Sequence, residues 1–491
     1  GEAGVPGMVP VALSIVRAAE GHVQEFDAHS TSVSMWALGL MEGLSGRPTQ
    51  AVADARKIMI ALANRAAGAA SGMNSQMLAN CAWGAARFML SPLEVGRFYD
   101  AVASAASKQL SNSSDQHITN IVWAFSKADV RSPMVLSHLV AVGDHCRGRL
   151  ADSKPIHIAG IAWGLARMLV SESRESKGST HTYVCAAIAA ASARTLDTLS
   201  DWRPRELVMV MWAVARVGLE EEATALFPPA VAHMAALGKS AAGDGSIRPA
   251  LPARDKLGPA WNRDDISSPT GKVRLQDVSL AVWAVATLGM CKDHFQSGSL
   301  EALIAGAVVE LAAKPLDVET PHLVNAAWAS AKTDIRGPAA DALIRLVAGI
   351  AAKNIEAWSL RHLVVVAWSV VLQGLYTESA ASLVRAVYNR ALKDAHSGSS
   401  RNTSVDHLHQ LVMLDAALHY DAGLCPRAVN ATPAAVSEER PVKAPALGEE
   451  VTQSSFQYEI LDVLRKMRTG DRVRTEVVIR GISVDAVMYP V

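Results

Sequence analysis

Five cations each stand four residues after a tryptophan: Arg87, Lys127, Arg167, Arg216 and Lys332, following Trp83, Trp123, Trp163, Trp212 and Trp328. A guanidinium or ammonium repeated at one position of a periodic chain is suited to the phosphates of a nucleic-acid backbone. Three residues before the tryptophan stands Asn80, Asn120 or Asn325 in three copies, and other residues elsewhere. A variable polar position beside a basic column is where bases of single-stranded RNA would be met. Six residues before the tryptophan stand His117, His157 and His322, with His362 and His407 at the same place in later copies. Each position also has a ligand-free explanation. Lys and Arg near a helix C-terminus complement the macrodipole, Asn can bridge adjacent helices, and His can pack or cap between units. The residues alone leave both explanations open.

The elements that would position these groups follow from the spacing. Anchors Trp36, Trp83, Trp123, Trp163, Trp212, Trp283, Trp328 and Trp368, with Met413 in a ninth copy, recur at intervals of 47, 40, 40, 49, 71, 45, 40 and 45 residues. The best-preserved pair is "TNIVWAFSKADV" (119–130) and "VNAAWASAKTDI" (324–335). A repeat of this length is one supersecondary unit that must stack on its neighbours to bury its apolar face. Counting from the tryptophan, position −5 is apolar in every copy but the first, which has Thr31. Position +1 is Ala, Gly or Ser in the eight tryptophan copies. At 100° per residue, −5, −2, −1 and +2 share one side of an α-helix with the tryptophan at its edge. Small residues at +1 would let another helix approach closely, and the tryptophan would fill the gap between units while its N–H finds a carbonyl. Positions −6, −3, +1 and +4 form a second stripe, expected to face away from the apolar side. "KPIH", "WRPRE" and "ETPH" mark helix starts, and Gly218, Gly289 and Gly374 mark stops. Between anchors lie second helices such as "SPMVLSHLVAVGDHC" and "GPAADALIRLVAGIAAK".

The expected fold is all-α: an α-solenoid of about nine helix–turn–helix repeats with a period near 40 residues, plus a short C-terminal α/β segment. Residues 1–24 form an N-terminal segment and 25–425 the array, interrupted by a Gly-, Pro- and Ser-rich loop at about 238–272. Residues 426–452 read as a linker, and 453–491 as a separate terminal region.

Composition excludes several classes. The chain has 491 residues, 50% hydrophobic but only 5% aromatic, and its 47 Lys and Arg balance 47 Asp and Glu. That balance gives no global support for nucleic-acid binding, so any such function rests on local placement. The five cysteines form no C-x-x-C pair, which argues against a zinc site or disulfide framework. No apolar run is long enough for a membrane span. "GEAGVPG" at the start lacks an initiator Met, so a targeting peptide would lie outside the sequence. No P-loop, G-x-S-x-G or H-E-x-x-H motif occurs. "HCRGRL" (145–150) with His138 offers a Cys/His pair without an orienting partner and reads better as a basic helix end. "RKMRTGDRVR" (465–474) is the densest basic patch. A binding protein rather than an enzyme is expected, with no metal and no cofactor.

The recurring N-x-x-W-A-x-[AS]-K core resembles the octotricopeptide and heptatricopeptide repeats of organellar proteins, which commonly precede a RAP domain. "SSFQYEILDVLRKM" (454–467) and "TEVVIRGISVDAVMYP" (475–490), with Ser483, Val484 and Asp485, are similar to the segment that opens such a domain. The given sequence ends at Val491, before the stretch that forms the body of a RAP domain. The resemblance implies a mitochondrial protein (alternatively plastid) that binds RNA, single-stranded or as ribosomal RNA fragments, alongside other proteins of a ribonucleoprotein such as a mitochondrial ribosome. The rival expectation is a protein-binding scaffold without direct RNA contact.

Overall fold

The computed structural model describes residues 18, 20–41, 50–169, 179–243 and 273–396, apart from 291, 296, 297, 314–317, 334, 336 and 376, and the backbone of 472–479 and 482–489. Among the described residues sixteen α-helices follow one another. They are α1 (Ala28–Met41), α2 (Gln50–Ala69), α3 (Ser75–Arg87), α4 (Pro92–Lys108), α5 (Asp115–Ala128), α6 (Pro133–Arg147), α7 (Pro155–Met168) and α8 (Ser179–Asp197). Then come α9 (Pro204–Val217), α10 (Glu220–Gly243), α11 (Leu275–Thr287), α12 (Ser299–Ala313), α13 (Thr320–Lys332), α14 (Pro338–Lys353), α15 (Leu360–Gln373) and α16 (Glu378–His396).

Every odd-numbered helix carries one of the eight tryptophan anchors and packs on the next odd-numbered helix. The even-numbered helices do the same among themselves, giving two stacked layers in a repeat-like array. Stacking passes unbroken from α9 to α11 and from α10 to α12, across the longest interval between anchors. Helix α10 itself runs on to Gly243, so the chain is still helical through 238–243, where the sequence suggested the loop had begun. "KSAA" carries strong helix formers, which continue the helix until the Gly- and Pro-rich composition takes over. The ninth copy around Met413, the linker and residues 453–471 lie outside the described residues.

Local chemistry explains the boundaries. Proline opens α4, α6, α7, α9 and α14, where its missing N–H leaves no intrahelical bond unmade. The Asn74 side chain accepts from the Met77 N–H at 2.9 Å, capping α3. Glu206 and Asp277, at the position that elsewhere holds His, accept from the backbone N–H of Arg203 and Arg274 at 3.0 and 3.1 Å. Gly218 and Gly374 close α9 and α15 in the left-handed region, with φ +75° and +65°.

The core is the column at position −5. Leu78, Ile118, Ile158, Leu207, Val278, Leu323 and Leu363 are all buried, each contributing about 1.5–3 kcal/mol. Thr31, the exception, is also buried and donates its hydroxyl to the Asp27 carbonyl at 2.7 Å. Position +1 sits against the preceding odd helix. A Cβ on Gly84 would run into the Met35 carbonyl, and one on Gly164 would come within 2.6 Å of Val122 Cγ1. Both partners occupy position −1 of the previous unit.

The helices belong to one compact unit, Gly1–Leu424. Cys425–Val491 form a second, of which the backbone of one antiparallel hairpin is described. In it Arg472–Ile479 pairs with Ile482–Tyr489, and Ser483, Val484 and Asp485 lie on the second strand.

Candidate nucleic-acid interface

Inner odd-numbered helices are enclosed by two odd neighbours and the even layer, so only a narrow strip of each meets solvent, and α15, with one odd neighbour among the described residues, exposes the same positions. In α13 the strip holds Pro321, Asn325, Trp328 and Lys332, and in α15 Arg361, Val365, Trp368 and Leu372. These are positions −7, −3, 0 and +4, one continuous face of a helix. The stripe expected from the sequence therefore needs one correction. Position +1 is not on it: Ala124, Ala213, Ala284, Ala329 and Ser369 are fully buried, because +1 points into the previous unit. The tryptophan occupies the exposed strip instead.

Six anchor tryptophans, Trp36 and the five from Trp163 to Trp368, are partly exposed, while Trp83 and Trp123 are buried. Trp163, Trp212 and Trp283 form a ladder, with ring centroids 5.9 and 6.1 Å apart and interplanar angles of 36° and 26°. The ring N–H of Trp83 is buried with no hydrogen-bond partner among the described residues, contrary to the expected carbonyl contact. Ring packing across the joint outweighs that donor's satisfaction there.

The basic column lies on the same strip. Lys127, Arg167, Arg216 and Lys332 are exposed and Arg87 half-buried. The guanidiniums of Arg87, Arg167 and Arg216 sit 5.7, 5.4 and 5.9 Å from the centroids of Trp83, Trp163 and Trp212. Lys332 Nζ lies 4.9 Å from Trp328. Two arginines also reach back one unit. Arg167 Nε donates to the Ser126 carbonyl at 3.0 Å, and Arg87 Nε to the Gly39 carbonyl at 3.4 Å. These carbonyls end the preceding odd helices, where no intrahelical donor remains. In α15 the neutral Gln373 does the same work, donating to the Ser330 and Ala331 carbonyls, each at 3.3 Å.

Some other arginines of the array are paired with carboxylates. Arg56 pairs with Glu94 and Arg131 with Asp129, both at 2.8 Å. Among the described residues, no carboxylate lies within ion-pair distance of Lys127, Arg167, Arg216 or Lys332. Burial of its stem, and then the nearby charge of Arg167, lower the pKa of Arg216; burial lowers that of Lys332.

The remaining residues singled out from the sequence divide. Asn80 and Asn325 are partly exposed on the strip. Asn120 is 8% exposed and its Oδ1 is buried without a hydrogen-bond partner, so it is closed to a base in this conformation. His117 Nδ1 meets Ser75 Oγ at 3.0 Å, tying α5 to α3. The carbonyls of His157 and His322 accept from Thr119 and Ser279 of the preceding units, at 3.4 and 2.8 Å. The N-terminal ends of odd helices are thus joined by hydroxyls and an imidazole, as C-terminal ends are by Arg87 and Arg167 at +4 and Gln373 at +5. His407 lies outside the described residues. His138 and Cys146 belong to the core: His138 Nδ1 meets Ser107 Oγ at 2.9 Å, and burial pushes the Cys146 thiol up to about 12. Sequence inspection missed the tryptophan ladder and the Gln373 contact. Both follow from placing the anchor itself on the face shared by −7, −3 and +4.

Among the described residues, no group of three His, Cys, Asp or Glu is placed to hold a metal ion. No described helix is long and apolar enough to cross a membrane. Comparison with known proteins finds no family model matching the chain and no curated protein similar to it.

Proposed function

We propose that the chain is an RNA-binding α-solenoid of the octotricopeptide and heptatricopeptide type. In this proposal it acts in a mitochondrion (or plastid) and holds a ribosomal RNA fragment or a transcript within a ribonucleoprotein such as a mitochondrial ribosome. One observation carries it. Successive odd helices α3, α5, α7 and α9 each place a cation on one strip, and three of these cations, Lys127, Arg167 and Arg216, lack a carboxylate partner among the described residues. Packed helices stand ~8–10 Å apart, so the cations follow one another at intervals a nucleic-acid backbone can track. Asn80 and Asn325, beside that column, would meet bases.

The test is binding of a 20-nucleotide single-stranded RNA to the full chain at ~50–200 mM salt. Affinity should fall steeply with salt. Replacing Arg87, Lys127, Arg167, Arg216 and Lys332 with Ala should remove most of it while helicity persists; unchanged binding would sink the column. A second reading, a protein-binding scaffold, is favoured by the strip of α15, which beyond Arg361 is apolar from Val365 through Trp368 to Leu372. It predicts no measurable RNA affinity at any salt.

A further inference from the structure

Within the basic column, Arg167 and Arg216 differ from the other cations. Their helices, α7 and α9, are adjacent in the odd layer, and their tryptophan rings lie against each other at 5.9 Å, tilted by 36°. Each guanidinium lies over its own ring. Two positive groups are therefore mounted side by side on one rigid aromatic platform. Arg167 is further fixed by its Nε bond to the Ser126 carbonyl, which leaves its two terminal amino groups without a hydrogen-bond partner among the described residues. Arg216 makes no hydrogen bond to any described residue. Holding like charges together without a counter-charge is unfavourable in the free protein. The charge of Arg167 acts on Arg216, in keeping with their proximity.

We infer that Arg167 and Arg216, held on the Trp163–Trp212 pair, form a two-guanidinium clamp for a single phosphodiester group of bound RNA. The inference rests on the RNA-binding reading and sharpens it. Guanidinium forks present paired N–H donors that match phosphate oxygens, and the protein has already restricted their side chains. The tryptophan faces are taken up by neighbouring rings and by the guanidiniums themselves, so they position the clamp rather than stack on bases. Lys127 and Lys332 offer point charges with no such geometry. The clamp is where a bound strand is held tightest, and the lysines only steady it.

Lysine substitution separates fork geometry from charge. In the full chain, R167K/R216K should weaken binding of a U20 oligoribonucleotide about tenfold or more, because bidentate contact is lost while the charge stays. The salt slope should stay nearly unchanged, since it counts neutralised phosphates. Thermal midpoints recorded alongside identify any variant that has lost its fold. Wild-type affinity in R167K/R216K overturns the clamp but leaves the column standing if the alanine variants bind weakly. A second measurement covers the case in which no RNA is bound. Inorganic pyrophosphate should change tryptophan emission of the wild type and not of R216A. That result with no RNA affinity would keep the clamp and reject RNA as its ligand, and an identical response in both proteins rejects the clamp.

Discussion

The unit of α5 and α6 and the unit of α13 and α14 are the same sequence pattern offset by 205 residues, Trp123 matching Trp328, yet the surroundings of these two units differ. Around α5 the basic column is unbroken, from Arg87 to Arg216. Around α13 it is interrupted: α11 has Thr287 at the same position and α15 has Leu372. Tryptophans persist in both regions, so the rings serve the packing whether or not a cation follows. Gln373 sharpens the point. It bonds the end of α13 as Arg167 bonds the end of α5, without any charge. Joining units therefore does not require a cation, and the macrodipole favours one by only ~0.3–1 kcal/mol at an exposed site. Packing by itself therefore does not require the positive charge of α3 to α9.

The largest effect expected is at the closest helix contact. Gly84→Val drives a side chain into the Met35 carbonyl and should destabilise the array by roughly 3 kcal/mol or more. The equivalent position in α13 is Ala329, already filled and buried; Ala329→Gly should cost only about 1 kcal/mol. Equal losses in chemical denaturation would show that the two regions pack alike.

The cores differ as well. His138 of α6 is replaced by Leu343 in α14, and Phe125 by Ser330. His138 is 1% exposed, its ring edge-on to Phe125 at 5.9 Å, and burial pushes its pKa down to about 4. The unfolded chain, with a His pKa near ~6.5, then binds the proton that the folded one refuses. Stability is complete above that value and falls with pH down to about 4, by roughly 2–3 kcal/mol. His138→Leu, copying Leu343, should flatten that part of the pH profile in urea denaturation; an unchanged profile would locate the acid sensitivity elsewhere.

Two smaller effects address the surface. Thr287→Arg fills the gap in the column and should raise RNA affinity a few-fold at low salt, the gain disappearing at high salt. Gln373→Ala removes a neutral contact and should cost about 1 kcal/mol or less, without altering RNA affinity.

Much of this architecture was legible in the sequence. The tryptophan period, the apolar −5 column and the small +1 residue announced helix pairs stacked closely, and Pro and Gly marked their ends. What escaped was the direction in which each face points. A helical wheel treats one helix alone, whereas each inner odd helix is enclosed by two odd neighbours and the even layer. That enclosure buries +1 and brings Trp328 onto the strip with Asn325 and Lys332. Nor does a wheel show that Asn120 is buried while its counterpart Asn325 is not; local neighbours decide that. Pairing of an arginine with a carboxylate can join residues as far apart as Arg56 and Glu94 and then has no local signature.

The central claim is that the cations of α3 to α9 serve a polyanion. Salt dependence of RNA affinity tests it most directly, comparing the wild type with R87A/K127A/R167A/R216A. At ~0.7 per phosphate for a single strand, losing the three phosphates held by Arg87, by Lys127 and by the Arg167–Arg216 clamp should lower the magnitude of the log–log slope by about 2. The loss should greatly exceed any caused by K332A alone. An unchanged slope in a variant that still folds would contradict the claim.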